Sequence, residues 1–439
     1  MNLKLRLTVL SFLQFFVWGA WLTTLGTYGF DIKKWSGEEF GAVFSTLGIA
    51  SIVMPALIGM IADRWINAEK LYGILHICYG ITLFFIAKTN DPTTFFWLLL
   101  LGMFFYMPTI SLSNSLSFTI LKNNGYDVVK VFPPIRVWGT IGFIAAMWIT
   151  NIFSDSHSPF PFGIEFGEKL AALTDNILNA NQFYIAGVFA VLLGIYAFTL
   201  PKCPPLNVQQ GSSISEKLGL DAFRLFRDYK MALFFLFSML LGAALQLTNM
   251  YGDTFLKDFK NIAAYADSTV VKYSTMIISI SQISETLFIL TIPFFLKRFG
   301  IKSVMLMSMF AWVLRFGLFS VGSPEGLGLM AIILSNIIYG LAFDFFNISG
   351  SLFIETSTEA KIRSSAQGLF MMMTNGVGAI LGSWLSGKVI SSYFTGADGF
   401  KDWHGIWLTF AIYALIVMVL FAILFKHKHN PAEVAEVRH

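Results

Sequence analysis

Apolar runs close to twenty residues long recur along the whole chain, and they narrow its possible solvents to one. A helix needs about 20 apolar residues to cross a bilayer. Runs of that kind cover about 7–30, 40–62, 71–88, 95–120, 134–154, 182–200, 231–254, 274–296, 303–321, 327–354, 364–391 and 405–425, which predicts twelve spans. Of the 439 residues, 56% are hydrophobic and 13% charged. A soluble domain carries about 25% charged residues, so a chain of this length could not coat two or three soluble domains. A soluble enzyme is excluded. No nucleic acid is expected as a partner, because the net charge of +4 comes from scattered residues without a basic stripe. Cys78 and Cys203 do not make a disulfide framework. The chain reads as an all-α, multi-pass membrane protein with the lipid bilayer around it.

The first run follows Lys4 and Arg6 as a signal peptide would. It is too long for one, lacks a clear small-residue cleavage site, and carries Gln14, Trp18 and Trp21, so it is expected to stay as the first span. Orientation follows from Lys and Arg in alternate loops. Nineteen of the 30 fall on the side of the N-terminus and nine on the other, with Arg136 and Arg315 inside spans. Both termini are therefore expected in the cytoplasm. The longest loop, 201–230, begins Pro201-Lys-Cys-Pro-Pro and runs through Gln209-Gln-Gly-Ser-Ser, a linker composition. Leu218, Ala222, Leu225 and Phe226 then fall at helical spacing among Lys217, Arg224 and Arg227. That pattern suits an amphipathic helix on the membrane surface and equally a solvated linker helix. The division predicts an N-terminal six-helix bundle (1–200), a cytoplasmic connection (201–230), a C-terminal bundle (231–426) and a tail (427–439), the organisation of a two-bundle transporter.

Ionisable groups inside spans cost about 2.5–3.5 kcal/mol each on insertion scales, so they face a cavity or a partner. Arg136, Glu285, Arg315 and Asp344 are such groups. Arg136, Thr140 and Phe143 share one face of span five, at i, i+4 and i+7. Gln246 and Asn249 are three apart in span seven, as are Gln282 and Glu285 in span eight. Tyr339, Phe343 and Asn347 form a stripe in span ten with Asp344 one position round. Amides, carboxylates, a guanidinium and rings suit a polar ligand with flat surfaces, stacked on Phe143, Phe343 or Tyr339 and hydrogen-bonded at its edge. A carboxylate taken out of water favours its neutral form, which makes Glu285 and Asp344 reversible proton carriers. Arg315 is expected to be a structural pairing or snorkelling residue, and His76 to make an interhelical hydrogen bond. No metal-ligand spacing and no phosphate-binding loop occurs, so neither a metal nor another cofactor is expected. Gly378-x-x-x-Gly382 reads as a helix-packing motif, not a dinucleotide fingerprint.

Gly59-Met-Ile-Ala-Asp63-Arg64 after span two resembles the G-x-x-x-D-R signature of the major facilitator superfamily. Pro293-Phe-Phe-Leu-Lys297-Arg298 stands at the equivalent place after span eight, and Ile135-Arg136 and Ile362-Arg363 open spans five and eleven alike. Longer polar stretches are more specific. Phe132-Pro-Pro-Ile-Arg-Val-Trp-Gly-Thr-Ile-Gly-Phe143, Leu245-Gln-Leu-Thr-Asn-Met250, Ser279-Ile-Ser-Gln-Ile-Ser-Glu-Thr-Leu-Phe288 and Tyr339-Gly-Leu-Ala-Phe-Asp-Phe-Phe-Asn-Ile-Ser-Gly350 closely resemble the bacterial nucleoside:proton symporters of that superfamily. The resemblance implies twelve transmembrane helices in two bundles, a bacterial inner-membrane location, a monomer, and a nucleoside held midway between the halves. Arg136, Thr140, Gln246, Asn249, Gln282 and Glu285 would be its polar contacts, and Phe143, Tyr339 and Phe343 its aromatic ones. Asp344 would couple to Arg136 or to the proton, and Asp63 and Arg64 would form a cytosolic latch. The acidic loop 154–181 looks longer than the family's. Arg136-Val-Trp-Gly-Thr-Ile-Gly-Phe143 also resembles a stretch of disaccharide symporters, which keeps a sugar:proton symporter as the alternative. A transporter-like receptor without turnover is a lesser one.

Overall fold

A computed structural model describes residues 2–154, 180–205, 220–359 and 362–428. Five of the spans start at side-chain caps that satisfy the first orphan N–H groups. At the second span, Ser36 accepts from the Glu39 N–H while the Glu39 carboxylate accepts from the Ser36 N–H, a reciprocal capping box. Asp91 caps the fourth span by accepting from the Thr94 N–H at 2.7 Å. Those hydrogen bonds, from the Thr94 N–H first and its hydroxyl next, hold the exposed Asp91 carboxyl below its ordinary range. Asp228 and Asp402 cap the seventh and twelfth spans in the same way.

The described helices fall on all twelve predicted runs. The first is Leu3–Gly19, followed by Leu25–Thr27 and a π-helical turn Tyr28–Ile32. Spans two to seven are Gly37–Arg64, Ala68–Ala87, Pro92–Asn123, Val128–Ser154, Asn181–Ala197 and Tyr229–Asp258. The eighth is Ser274–Ile289, resuming at Ile292. Gly300, at φ 78°, separates it from the ninth, which ends at Ser320. Pro293–Phe299 therefore forms the last helical turns of the eighth span, continuing a few residues beyond the predicted run. A backbone with positive φ suits glycine because it has no Cβ to clash. The tenth is split into Gly326–Ala342 and Asp344–Ser357, and the eleventh runs from Arg363 to Phe394 through two π-helical stretches, Met372–Gly378 and Ile390–Phe394. Trp403–Leu424 is the twelfth. Nine stretches among the described residues are long and apolar enough to cross a membrane, and Asn181–Ala197 and Ser274–Ile289 are shorter apolar helices.

Contacts divide the chain into two units, Met1–Ser212 and Ser213–His439. Within the first, span one packs on five, two on four and three on six. Within the second, seven packs on eleven, eight on ten and nine on twelve, the same pairing repeated. Between helices in lipid the driving force is close packing, which favours small residues where backbones approach. In the first unit a Cβ on Gly142 would lie 2.1 Å from the Phe12 carbonyl oxygen, and one on Gly80 would lie 2.8 Å from that of Gly187. In the second unit, Gly242 faces Thr374, Gly378 faces Met239 and Gly382 faces Ala243 with no room for a side chain. Gly378-x-x-x-Gly382 is thus the packing motif the spacing suggested.

The linker is described over 201–205 and 220–230, the latter including a 3₁₀ helix, Leu220–Arg227, whose Phe226 ring lies 5.3 Å from Phe235 near the start of span seven. Lys217 and Leu218, and most of the acidic loop (155–179), lie outside the described residues.

Candidate functional site

In the first unit the Arg136-x-x-Gly139-x-x-Gly142-Phe143 stretch lays one face of span five against span one. Gly142 admits the span-one backbone, and Gly19 admits Phe143 in return, since a Cβ there would sit 2.5 Å from the Phe143 carbonyl oxygen. Gly139 leaves the space that Arg136 and Phe15 occupy: its Cβ would come 2.7 Å from each. Into that space the Arg136 guanidinium stacks on Phe15, with Cζ 3.9 Å from the ring centroid. Cation–π contacts of this kind hold a guanidinium plane while leaving its N–H edge available to other acceptors. Thr140 is half-buried one turn on, and Phe143 is buried with its ring edge-on to Trp18 at 6.4 Å.

In the second unit, Gln246 is buried and Asn249 half-buried on one side of span seven. Gln282 and Glu285 are half-buried on span eight. Tyr339 of span ten is buried, and Gln282, Glu285 and Asp344 lie close enough to interact with it electrostatically. Spans eight and ten meet closely because Gly340 sits where a Cβ would lie 2.5 Å from Ser284 Oγ, and that hydroxyl donates to the Ile337 carbonyl. Phe343, half-buried, marks the break in span ten, and Asp344 opens the following helix, 8% exposed. Asn347 is half-buried one turn further. The structure therefore gathers Gln282, Glu285, Tyr339 and Asp344 into one polar neighbourhood. Asp63 and Arg64 end the second span, and their side chains lie outside the described ones.

A model of the protein family described as Nucleoside H+ symporter matches residues 1–430. The chain belongs to the nucleoside H+ symporter family. It is 50% identical to a xanthosine permease of Escherichia coli (strain K12) over 99% of this chain and 98% of that protein. It is 49% identical to nucleoside permease NupG of the same organism over 98% and 97%. A crystal structure of nucleoside transporter NupG superposes with a TM-score of 0.86 at 49% identity, covering 98% of this chain and all of that one. A bacterial homologue of the human lysosomal transporter Spinster shares the fold alone, at 14% identity and a TM-score of 0.68, with 98% and 95% covered. The protein is a multi-pass membrane transporter with the major facilitator fold, and not an enzyme.

Beside the family's expected contacts, both units hold buried polar groups whose function the sequence reading did not anticipate. In the first, Gln14 is wholly buried: its Nε2 donates to Thr109 at 3.0 Å, Tyr72 donates to its Oε1, and Tyr106 donates to its carbonyl at 2.8 Å. Tyr106 is also within electrostatic range of Arg136. His76 differs from expectation, because its Nδ1 faces the Tyr72 carbonyl of its own helix at 3.2 Å and so bonds within the span. In the second unit, Asp253 is 1% exposed and accepts from Ser274 at 2.8 Å and Thr275 at 2.9 Å. It stands four residues beyond Asn249. The signal was there, an Asp at i+7 from Gln246 inside the predicted 231–254 run. Arg315 does not snorkel; it is fully buried.

Proposed function

We propose that this family member imports nucleosides, purine or pyrimidine, by proton symport across a bacterial inner membrane, with both termini in the cytoplasm. The observation that carries it is the family match over residues 1–430, which spans every polar residue set in an otherwise apolar helix. Residues 1–200 and 231–426 act as the two bundles of an alternating-access carrier, joined by 201–230 and followed by the 427–439 tail. Arg136, Thr140, Gln246, Asn249, Gln282, Glu285 and Asn347 serve as hydrogen-bonding contacts. Phe143, Tyr339 and Phe343 serve as faces for the base. Support comes from the gathering of Gln282, Glu285 and Asp344 about Tyr339 and from the stacked, oriented guanidinium of Arg136.

Asp344 or Glu285 takes the external proton, and neutralising a carboxylate lets the loaded carrier rearrange. Release inside returns the proton. Moving one charge across 100 mV supplies about 2.3 kcal/mol before any pH gradient is counted. Asp63 and Arg64 bias the outward-facing state as a cytosolic latch. The carrier works as a monomer.

Radiolabelled uridine and xanthosine uptake, in energised cells lacking their own nucleoside permeases, tests this reading. Accumulation should collapse with a protonophore, unlabelled nucleosides should compete, and lactose should not. Asp344→Asn should abolish uptake against a gradient. Undiminished accumulation with the protonophore would overturn proton coupling, and unchanged accumulation in the Asn variant would remove Asp344 from it.

A further inference from the structure

Arg315 sits in the last third of the ninth span and is fully buried. Among the described residues no carboxylate lies within 4 Å of its guanidinium, and its hydrogen bonds go to three other spans. Nε donates to Thr248 Oγ1 on span seven at 3.1 Å. Nη1 donates to Ser281 Oγ on span eight at 3.3 Å and to the Ser335 carbonyl on span ten at 2.9 Å. Ser335 Oγ donates back to the Arg315 carbonyl at 2.8 Å, and Ser281 Oγ donates to Asn336 Oδ1 at 2.7 Å. The guanidinium carbon lies 4.5 Å from the Tyr339 ring centroid.

Each anchor adjoins a residue of the proposed nucleoside site. Thr248 immediately precedes Asn249, Ser281 immediately precedes Gln282, and Ser335 lies one helical turn before Tyr339. A buried charge without an ionic partner is weak as a stabilising device, since apolar packing of like volume often does as well. Its advantage is geometric: a planar fork donates in fixed directions and its face stacks on a ring, neither of which a lysine reproduces.

We propose that Arg315 is a positioning residue for nucleoside recognition, fixing Asn249, Gln282 and Tyr339 relative to one another from behind. The inference rests on the site reading above. Its test uses the full-length protein with Arg315→Met, Arg315→Lys, Asn249→Ala and Gln282→Ala. Nucleoside KM in the uptake assay, maximal rate and the Kd of the purified protein are measured for each. Arg315→Met should remain monodisperse and raise KM and Kd about tenfold, as the loss of a charged hydrogen bond does, with maximal rate within about twofold. Arg315→Lys should not restore wild-type affinity, because it keeps the charge and loses the fork and the stack. Wild-type affinity in a folded Arg315→Met or Arg315→Lys, alongside weakened Asn249→Ala, overturns the positioning role and leaves the site standing. Unchanged affinity in both Asn249→Ala and Gln282→Ala overturns the site itself. If neither Arg315 variant yields monodisperse protein, Arg315 serves folding and the proposal falls.

Discussion

Two glycines three positions apart in span five do different work, and the difference can be measured. A Cβ on Gly142 would meet the Phe12 backbone, at 2.1 Å from its carbonyl oxygen, which no rotamer change relieves. Gly142→Ala should part spans one and five and cost about 1–3 kcal/mol, as overpacking typically does, read as a lower melting temperature in detergent and reduced yield. A Cβ on Gly139 would meet the movable ends of Arg136 and Phe15. Gly139→Ala should leave the fold intact and weaken nucleoside affinity about tenfold, the scale of one displaced charged hydrogen bond, measured by binding to purified protein. The residue types and spacing of this stretch were legible in the sequence, as a polar face with glycines. Which glycine guards a backbone and which guards a guanidinium was not, because that depends on the partner helix. Arg315 teaches the same lesson, since its hydrogen-bond partners on spans seven, eight and ten are set by packing and lie at no predictable spacing.

The segment leaving span six is held by the start of span three, through a carboxylate that nothing in the sequence singled out. Glu69 is 2% exposed and accepts from the Cys203 N–H at 2.8 Å and from Asn67 Nδ2 at 3.1 Å. The Ala68 N–H donates to the Cys203 carbonyl at 3.0 Å. Burial first and the Glu69 charge second push the Cys203 thiol up to about 11. The thiolate is the reactive form, so with a raised value the thiol stays protonated and unreactive below that pH and gains reactivity as pH rises toward it. In a Cys78→Ser background, maleimide labelling of Cys203 should be slow at neutral pH. Glu69→Ala should release the segment and speed labelling about tenfold or more, the lowered thiol value and the new exposure acting in the same direction. Equal rates in the two proteins would show that Glu69 does not hold the segment. Span ten is a second element whose form escaped the sequence: its apolar run is continuous, yet the helix breaks at Phe343 and restarts at Asp344.

At the scale of the chain, each unit repeats one pairing scheme, and the weak similarity between Ile135-Arg136 and Ile362-Arg363 is an echo of backbone, not of role. Arg136 stacks on Phe15 whereas Arg363 pairs with Glu355 at 2.7 Å on a partly exposed surface. The excess of Lys and Arg on alternate loops predicts where the ends lie. A fluorescent protein fused after His439 should fluoresce and a phosphatase fused there should be inactive, since the first folds in the cytoplasm and the second outside it; the reverse pair would invert the topology. The sequence by itself determined the solvent, the positions of the spans and the polar residues among them. These follow from local hydropathy, and in lipid a backbone must satisfy its own hydrogen bonds within the helix. Only the tertiary structure decided which helices touch, where Gln14, Glu69, Asp253 and Arg315 find their partners, and which glycines cannot be replaced. Those outcomes depend on atoms brought from distant parts of the chain, where packing at sub-ångström tolerance, not composition, sets the energy.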